Sequence, residues 1–198
     1  MLETNLDASA QAAYVLVRVR LKTEKSMAIL PILTAPDPRL KKKAKPVEKV
    51  DKETRKLMDD LLDTMYDAPG IGLAAPQVGV SKRVIVLDLS NDDEDNKPYC
   101  MANPEIIWES DDIRTYEEGC LSVPEQYAEV KRPNKVKVRY LDQENEIREL
   151  EADELLATCI QHEIDHLEGV LFVDYLSSLK RNMMIRKVKK LVKDGASA

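Results

Sequence analysis

The chain has almost no histidine: two in 198 residues. Cysteine is nearly as scarce, and three is an odd number, which argues against a disulfide framework and for a reducing compartment. No apolar run approaches the length of a membrane span, so no membrane partner is expected. The positive excess of a nucleic-acid-binding protein is also missing. With a net charge of −6, DNA is not an expected partner and any basic surface must be local. No internal repeat or low-complexity stretch interrupts the chain. Signals for export are absent as well. "AYVLVRVRL" is broken by Arg18 and Arg20, a poor signal-peptide core, and Glu3, Asp7 and Glu24 count against an organellar transit peptide. The cytoplasm is the expected compartment.

What remains is the composition of a globular protein, 43% hydrophobic and 33% charged, long enough for one domain or one domain with a tail. Met27 opens "MAILPILTAPDPRL" like a natural start, so residues 1–26 read as an extension from an upstream start, or an added segment, without catalytic role. A short pairing strand is the alternative there. Leu57, Met58, Leu61, Leu62, Met65 and Tyr66 recur at helical spacing, with Asp51 as N-cap and Pro69-Gly70 as the stop. "RVIVLDL" reads as a strand followed by a solvated acidic loop, "SNDDEDNK". "KVKVRYLDQENEIREL" reads as a hairpin reversing at an Asp- and Asn-rich turn. Strands in the middle with helices around them predict an α+β fold rather than regular βαβ winding.

Both histidines lie in "CIQHEIDHLEG", on a helix predicted from Asp153 as N-cap to Gly169 as its terminator. At 100° per residue, Glu154, Gln161, Asp165 and Glu168 share one narrow polar stripe. Glu163 projects opposite it, with His162 and His166 alongside. A carboxylate aimed into an apolar interior needs a charge partner or a task. Two imidazoles four apart can grip one metal ion, but a catalytic site needs a third ligand and an open position. Thiolate suits a borderline-soft ion best. An ion held by the histidines would sit roughly 7 Å along the axis from Cys159, at 1.5 Å per residue, too far for a short side chain. Cys100, in "YCMANPEIIW", reads as an ordinary buried cysteine. Cys120, beside Gly119 and ahead of Pro124, is the favoured ligand on these grounds.

Three segments together carry a resemblance. "GIGLAAPQVG" (70–79), "EGCLSVP" (118–124) and "QHEIDHLEG" (161–169) resemble, in order and spacing, the signature motifs of the peptide deformylase family. The similarity runs from about Met27 to Lys193, making 27–198 the expected catalytic domain. It implies mainly antiparallel sheets packed around a central metal-binding helix, with an N-terminal and a C-terminal helix. It further implies hydrolysis of the N-formyl group from formylmethionine at the start of nascent polypeptides, releasing formate. Cys120, His162 and His166 become the metal ligands, with Fe²⁺ expected in cells and Zn²⁺, Ni²⁺ or Co²⁺ possible in purified protein. Glu163 becomes the general acid/base for an ion-activated water, and Gln77 with the Leu121 N–H the oxyanion donors. The backbone around Ile71, Gly72 and Gly119 would pair with the peptide, while Ile71, Leu155, Thr158 and Cys159 would receive the methionine side chain.

The stretch from about 175 to 193 has seven Lys/Arg between Lys180 and Lys193. Met184, Ile185, Val188 and Leu191–Val192 form an apolar stripe. The resemblance makes the ribosome a candidate partner of this helix, in a bacterial rather than organellar setting. A general metalloendopeptidase of the His-Glu-x-x-His type is the alternative function, and a thiolate third ligand counts against it.

Overall fold

A computed structural model describes residues 28–90 and 98–195. The expected extension at 1–26 and most of the acidic loop after Ser90 lie outside the described residues. Helix α1 runs Lys52–Asp67. The Asp51 carboxylate accepts the Thr54 N–H at 2.9 Å at its start, as the spacing predicts. Its apolar stripe buries Met58, Leu61 and Met65 completely.

Strands β1 (Gly72–Ala74), β2 (Val84–Leu87), β3 (Tyr99–Glu109), β6 (Lys135–Leu141) and β7 (Ile147–Asp153) form one antiparallel sheet in the order β1-β2-β3-β6-β7. β4 (Ile113–Glu118) and β5 (Ala128–Pro133) form a second, two-stranded antiparallel sheet. Val84, Ile85, Val86 and Leu87 are all buried, as expected of a strand covered on both faces. Helix α2 (Glu154–Glu168) lies between the sheets, touching β1, β2, β5, β6 and β7. Its Ile160 and Leu167 are fully buried in a cluster with Ile85, Leu87, Met101 and Val138. Each such side chain contributes about 1.5–3 kcal/mol by leaving water. This is the expected α+β arrangement around a central helix.

Asp153 occupies the N-cap of α2, but its side chain makes no capping bond. It is instead the last residue of β7, paired with Lys135, and the Glu154 N–H donates to the Asn134 carbonyl at 3.0 Å. The chain therefore passes from strand to helix with no linker, and Glu154 takes φ +48°, which costs a non-glycine residue about 1–2 kcal/mol. The polar stripe is exposed at Glu154 and Glu168, and most of it is engaged by other elements. The Gln161 amide donates to the Pro133 and Ala157 carbonyls, Asp165 meets Arg132, and Glu168 pairs with Lys43 and Arg83. Gly169 ends the helix at φ +76°, where a Cβ would fall 2.6 Å from the Lys41 carbonyl oxygen. Only glycine fits both constraints.

Helix α3 (Ser178–Lys193) begins at a Ser177 cap and is held through buried Met184 and Val188. Val192, placed by the sequence in the docking stripe, is 47% exposed on the last turn. No helix among the described residues is long and apolar enough to cross a membrane.

Candidate metal centre and active site

Helix α2 presents His162 and His166 on one face, their ring centroids 5.0 Å apart. The segment leaving β4 delivers Cys120, whose Sγ lies 3.2 Å from His166 Nε2. One donor atom from each of Cys120, His162 and His166 lies within 4.8 Å of the others. Ligand bonds of about 2.0–2.3 Å place donors at that kind of separation, so the set fits one divalent ion. Burial, with His162 and Arg132 nearby, holds the His166 pKa well below the usual imidazole value. His166 is thus kept neutral, the form a ligand requires. The other two thiols lie apart from this cluster. Cys100 is buried in β3, where its sulfur accepts from the Gln143 amide at 3.3 Å. Burial, reinforced by the Glu163 and Glu118 carboxylates, pushes the Cys159 thiol up to about 12. Cys159 stays protonated and lines the cavity described below.

A charged network absent from the sequence reading fixes the His162 ring. Glu118, the last residue of β4, bonds His162 Nδ1 through Oε2 at 2.8 Å. That leaves Nε2 as the ligating atom. Arg132 on β5 grips Glu118 with two bonds, Nε to Oε1 at 2.6 Å and an Nη to Oε2 at 3.0 Å. Its other Nη reaches Asp165 at 2.8 Å, and the guanidinium lies 5.1 Å from the centre of the Tyr175 ring. Glu118 and Arg132 are 5% exposed each. Although burial opposes its charge, His162 and Arg132 hold Glu118 below the usual carboxylate range. The available sequence signal was Glu118 itself, directly before Gly119-Cys120. Its partners come from β5 and α2, which a linear reading does not join.

Glu163 is also buried, and its Oε2 has no hydrogen-bond partner. Burial raises its pKa to about 7, against the pull of His162 and Arg132. Gly72 runs so close that a Cβ there would sit 2.5 Å from Glu163 Oε1. The Gln77 side chain is pinned at both ends. Its Oε1 accepts the Ala74 N–H at 2.8 Å, while its Nε2 lies 3.2 Å from Ser122 Oγ and 3.6 Å from Cys120 Sγ. The Leu33 and Ala35 N–H groups hold the Gln77 and Ser122 carbonyls, each at 2.7 Å. The amide nitrogen is therefore aimed at the metal cluster with little freedom.

A cavity of about 450 Å³ opens over these groups. Gln77, Cys120, Leu121, His162 and Glu163 line it, as do Ile71, Gly72, Gly119, Leu155, Thr158 and Cys159. Of the residues expected at the site, only His166 is not part of the lining; it is 1% exposed, beneath the cluster. Tyr116, Pro124 and Tyr127 complete the walls without having been expected. The Tyr127 ring lies on Gly119, where a Cβ would meet it at 2.6 Å. A site with three converging ligands, a buried carboxylate and a positioned amide can activate water against a carbonyl group.

A family model described as polypeptide deformylase matches residues 29–182. A peptide deformylase of Phenylobacterium zucineum is 62% identical over 167 residues, covering 84% of this chain and 99% of its own. One of Methylocella silvestris is 58% identical over 170 residues, covering 84% and 87%. Among solved structures, peptide deformylase from Ehrlichia chaffeensis superposes with a TM-score of 0.82 at 43% identity, covering 85% of this chain and 99% of that one. A complex of the Ehrlichia chaffeensis enzyme with actinonin gives a TM-score of 0.80 at 45% identity, covering 83% and 98%.

Proposed function

Because the chain belongs to the polypeptide deformylase family, we propose that it acts as a metal-dependent hydrolase on the N-terminal formylmethionine of new polypeptides, releasing formate. The observation that carries this reading is the convergence of Cys120 and His162, on the floor of the cavity beside buried Glu163, with His166 just beneath them. When bound, a divalent ion supplies a Lewis acid that lowers the pKa of water toward about 7. Thiolate with two imidazoles suits Fe²⁺ or Zn²⁺. Fe²⁺ is the proposed ion in cells, with Zn²⁺, Ni²⁺ or Co²⁺ in purified protein.

This chain's own residues do the rest. Glu163 accepts the proton of the attacking water and passes it to the departing amine nitrogen as the C–N bond breaks. The Gln77 Nε2 and the Leu121 N–H donate to the formyl oxygen as charge develops on it. The backbone at Ile71, Gly72 and Gly119 adds the peptide as a strand, which gives affinity with little side-chain selection. Leu155, Thr158 and Cys159 receive the methionine side chain. Residues 27–198 form the catalytic domain in this reading. The protein works in the bacterial cytoplasm, and α3 meets ribosomal RNA through Lys180, Arg181 and the five basic residues that follow.

Formyl-Met-Ala-Ser, acetyl-Met-Ala-Ser and a longer peptide with an internal Met distinguish this reading from a general metalloendopeptidase. The formyl carbon bears only hydrogen, whereas an acetyl methyl or a chain at that carbon would meet the walls at Gln77 and Leu121, and a misplacement of about 1 Å can cost about a hundredfold. Formate should be released from the first peptide, with at least that much less hydrolysis of the others. Efficient cleavage of the internal bond would replace the deformylase reading with the endopeptidase.

A further inference from the structure

The rim that carries Ile71 and Gly72 is a short loop, Ala68–Ile71, between α1 and β1. Ile71 is 46% exposed, so its own packing does little to hold it. Both ends of this loop are nevertheless tied to a single residue, Asp88, just past the end of β2. After the loop, the Asp88 N–H donates to the Ile71 carbonyl at 3.0 Å. Before it, the Tyr66 hydroxyl in the last turn of α1 donates to Asp88 Oδ2. The remaining oxygen, Oδ1, accepts the Ser90 N–H at 2.9 Å and the Ser90 hydroxyl at 2.6 Å. With each oxygen separately engaged, the carboxylate cannot rotate without breaking a bond. Asp88 is 5% exposed, and no part of the proposed chemistry uses it.

We infer that Tyr66 and Asp88 are positioning residues that hold the peptide-pairing rim in its binding conformation. The inference rests on the reading that substrate pairs with this rim. A loop of four residues with both ends fixed to one rigid point has few conformations left. The ordering cost is therefore met in the free protein rather than on binding. Tyr66 acts through the rim and reaches no reacting atom, so its loss weakens peptide binding and spares the chemical step. A Cβ on Gly72, the first residue of β1, would meet Glu163 Oε1 at 2.5 Å, so the rim already lies close against that carboxylate.

The test compares Tyr66→Phe with wild-type metal-loaded enzyme on formyl-Met-Ala-Ser and on the same peptide N-methylated at Ala. The N-methyl group removes a backbone donor and with it the strand pairing. In wild type the methylated peptide should show a clearly higher KM; an equal KM would reject strand pairing itself. Tyr66→Phe should raise KM for the unmodified peptide by about three- to tenfold, the scale of one hydrogen bond, with kcat within about twofold. Its effect on the methylated peptide should shrink toward none. Asp88→Asn should raise KM in the same sense, and the double variant should not exceed the larger single effect, since both break one contact. A purely structural role would lower the melting temperature of Tyr66→Phe while leaving the ratio of the two peptides unchanged. That result, with strand pairing intact in wild type, would overturn the clamp alone.

Discussion

Replacing Glu118 by Gln removes one charge from the metal site and almost no volume. In the wild-type structure the carboxylate bonds His162 Nδ1 at 2.8 Å and accepts from Arg132 Nε and one Nη at 2.6 and 3.0 Å. With its oxygen in the place of Oε2, Gln can still accept from both His162 Nδ1 and an Arg132 Nη. Its NH₂ then faces the Arg132 Nε donor, and the charge that strengthened every bond is gone. Hydrogen bonds to charged groups are worth about 1.5–3 kcal/mol each, and Arg132 keeps Asp165 as a partner. A net loss of about 2–4 kcal/mol follows. For a domain of this size each kcal/mol lowers the melting temperature by about 2–4 °C, giving a drop of about 4–16 °C. Held by a neutral amide instead of a carboxylate, His162 should bind metal about 10- to 100-fold more weakly. Competition with a chromophoric chelator measures that affinity directly, and calorimetry of the metal-free protein isolates the stability term. Arg132→Met provides the internal check. It leaves Glu118 buried without its cation, at about 3–5 kcal/mol, so adding Glu118→Gln should restore part of the stability. Wild-type metal affinity in Glu118→Gln, alongside a large loss in His162→Ala, would refute the orienting role.

Gly72→Ala places a methyl group 2.5 Å from Glu163 Oε1 and should cut kcat by about a hundredfold, with metal content unchanged, because the carboxylate must move; wild-type turnover would show that Glu163 has room to spare. Cys120→Ala should lose metal on dialysis while Cys159→Ala keeps it, as inductively coupled plasma analysis would report; the reverse pattern would reject the ligand assignment. Gln77→Leu should lower kcat by about 10²- to 10³-fold if its amide meets developing charge, and an effect confined to KM would argue against that role.

The sequence makes some of this architecture legible and leaves the rest hidden, for physical reasons. Helix α2 is readable because its period is local: the four-residue step from His162 to His166 already fixes one face. Cys120 could be favoured by elimination, since the reach of Cys159 along a helix is simple arithmetic. The β6–β7 hairpin followed from alternation and its Asp- and Asn-rich turn. Arg132 was not legible, because its burial depends on a β4–β5 sheet set against α2, and an arginine on an alternating strand reads as surface. The same holds for Gln161 and Asp165, polar residues whose partners arrive from elsewhere in the chain. Tyr66 read as one more member of an apolar stripe; the fold brings Asp88, 22 residues on, to its hydroxyl.

The absence of any linker between β7 and α2 makes the ligand geometry a matter of rotational phase. Asp153 is still locked in register against Lys135 when the helix begins at Glu154. Each residue of α2 turns the face by about 100° and advances it about 1.5 Å. One residue inserted between Asp153 and His162 would therefore swing both imidazoles about a quarter-turn away from Cys120, with no slack to absorb the error. An insertion at Glu144, exposed in the turn of the same hairpin, would disturb the bonds that Gln143 and Asn145 make to Cys100, Arg55 and Val50 but leave that phase untouched. A change of length at the hairpin's tip thus spares the ligand geometry that the same change at its base would break, although both ends belong to one continuous pair of strands.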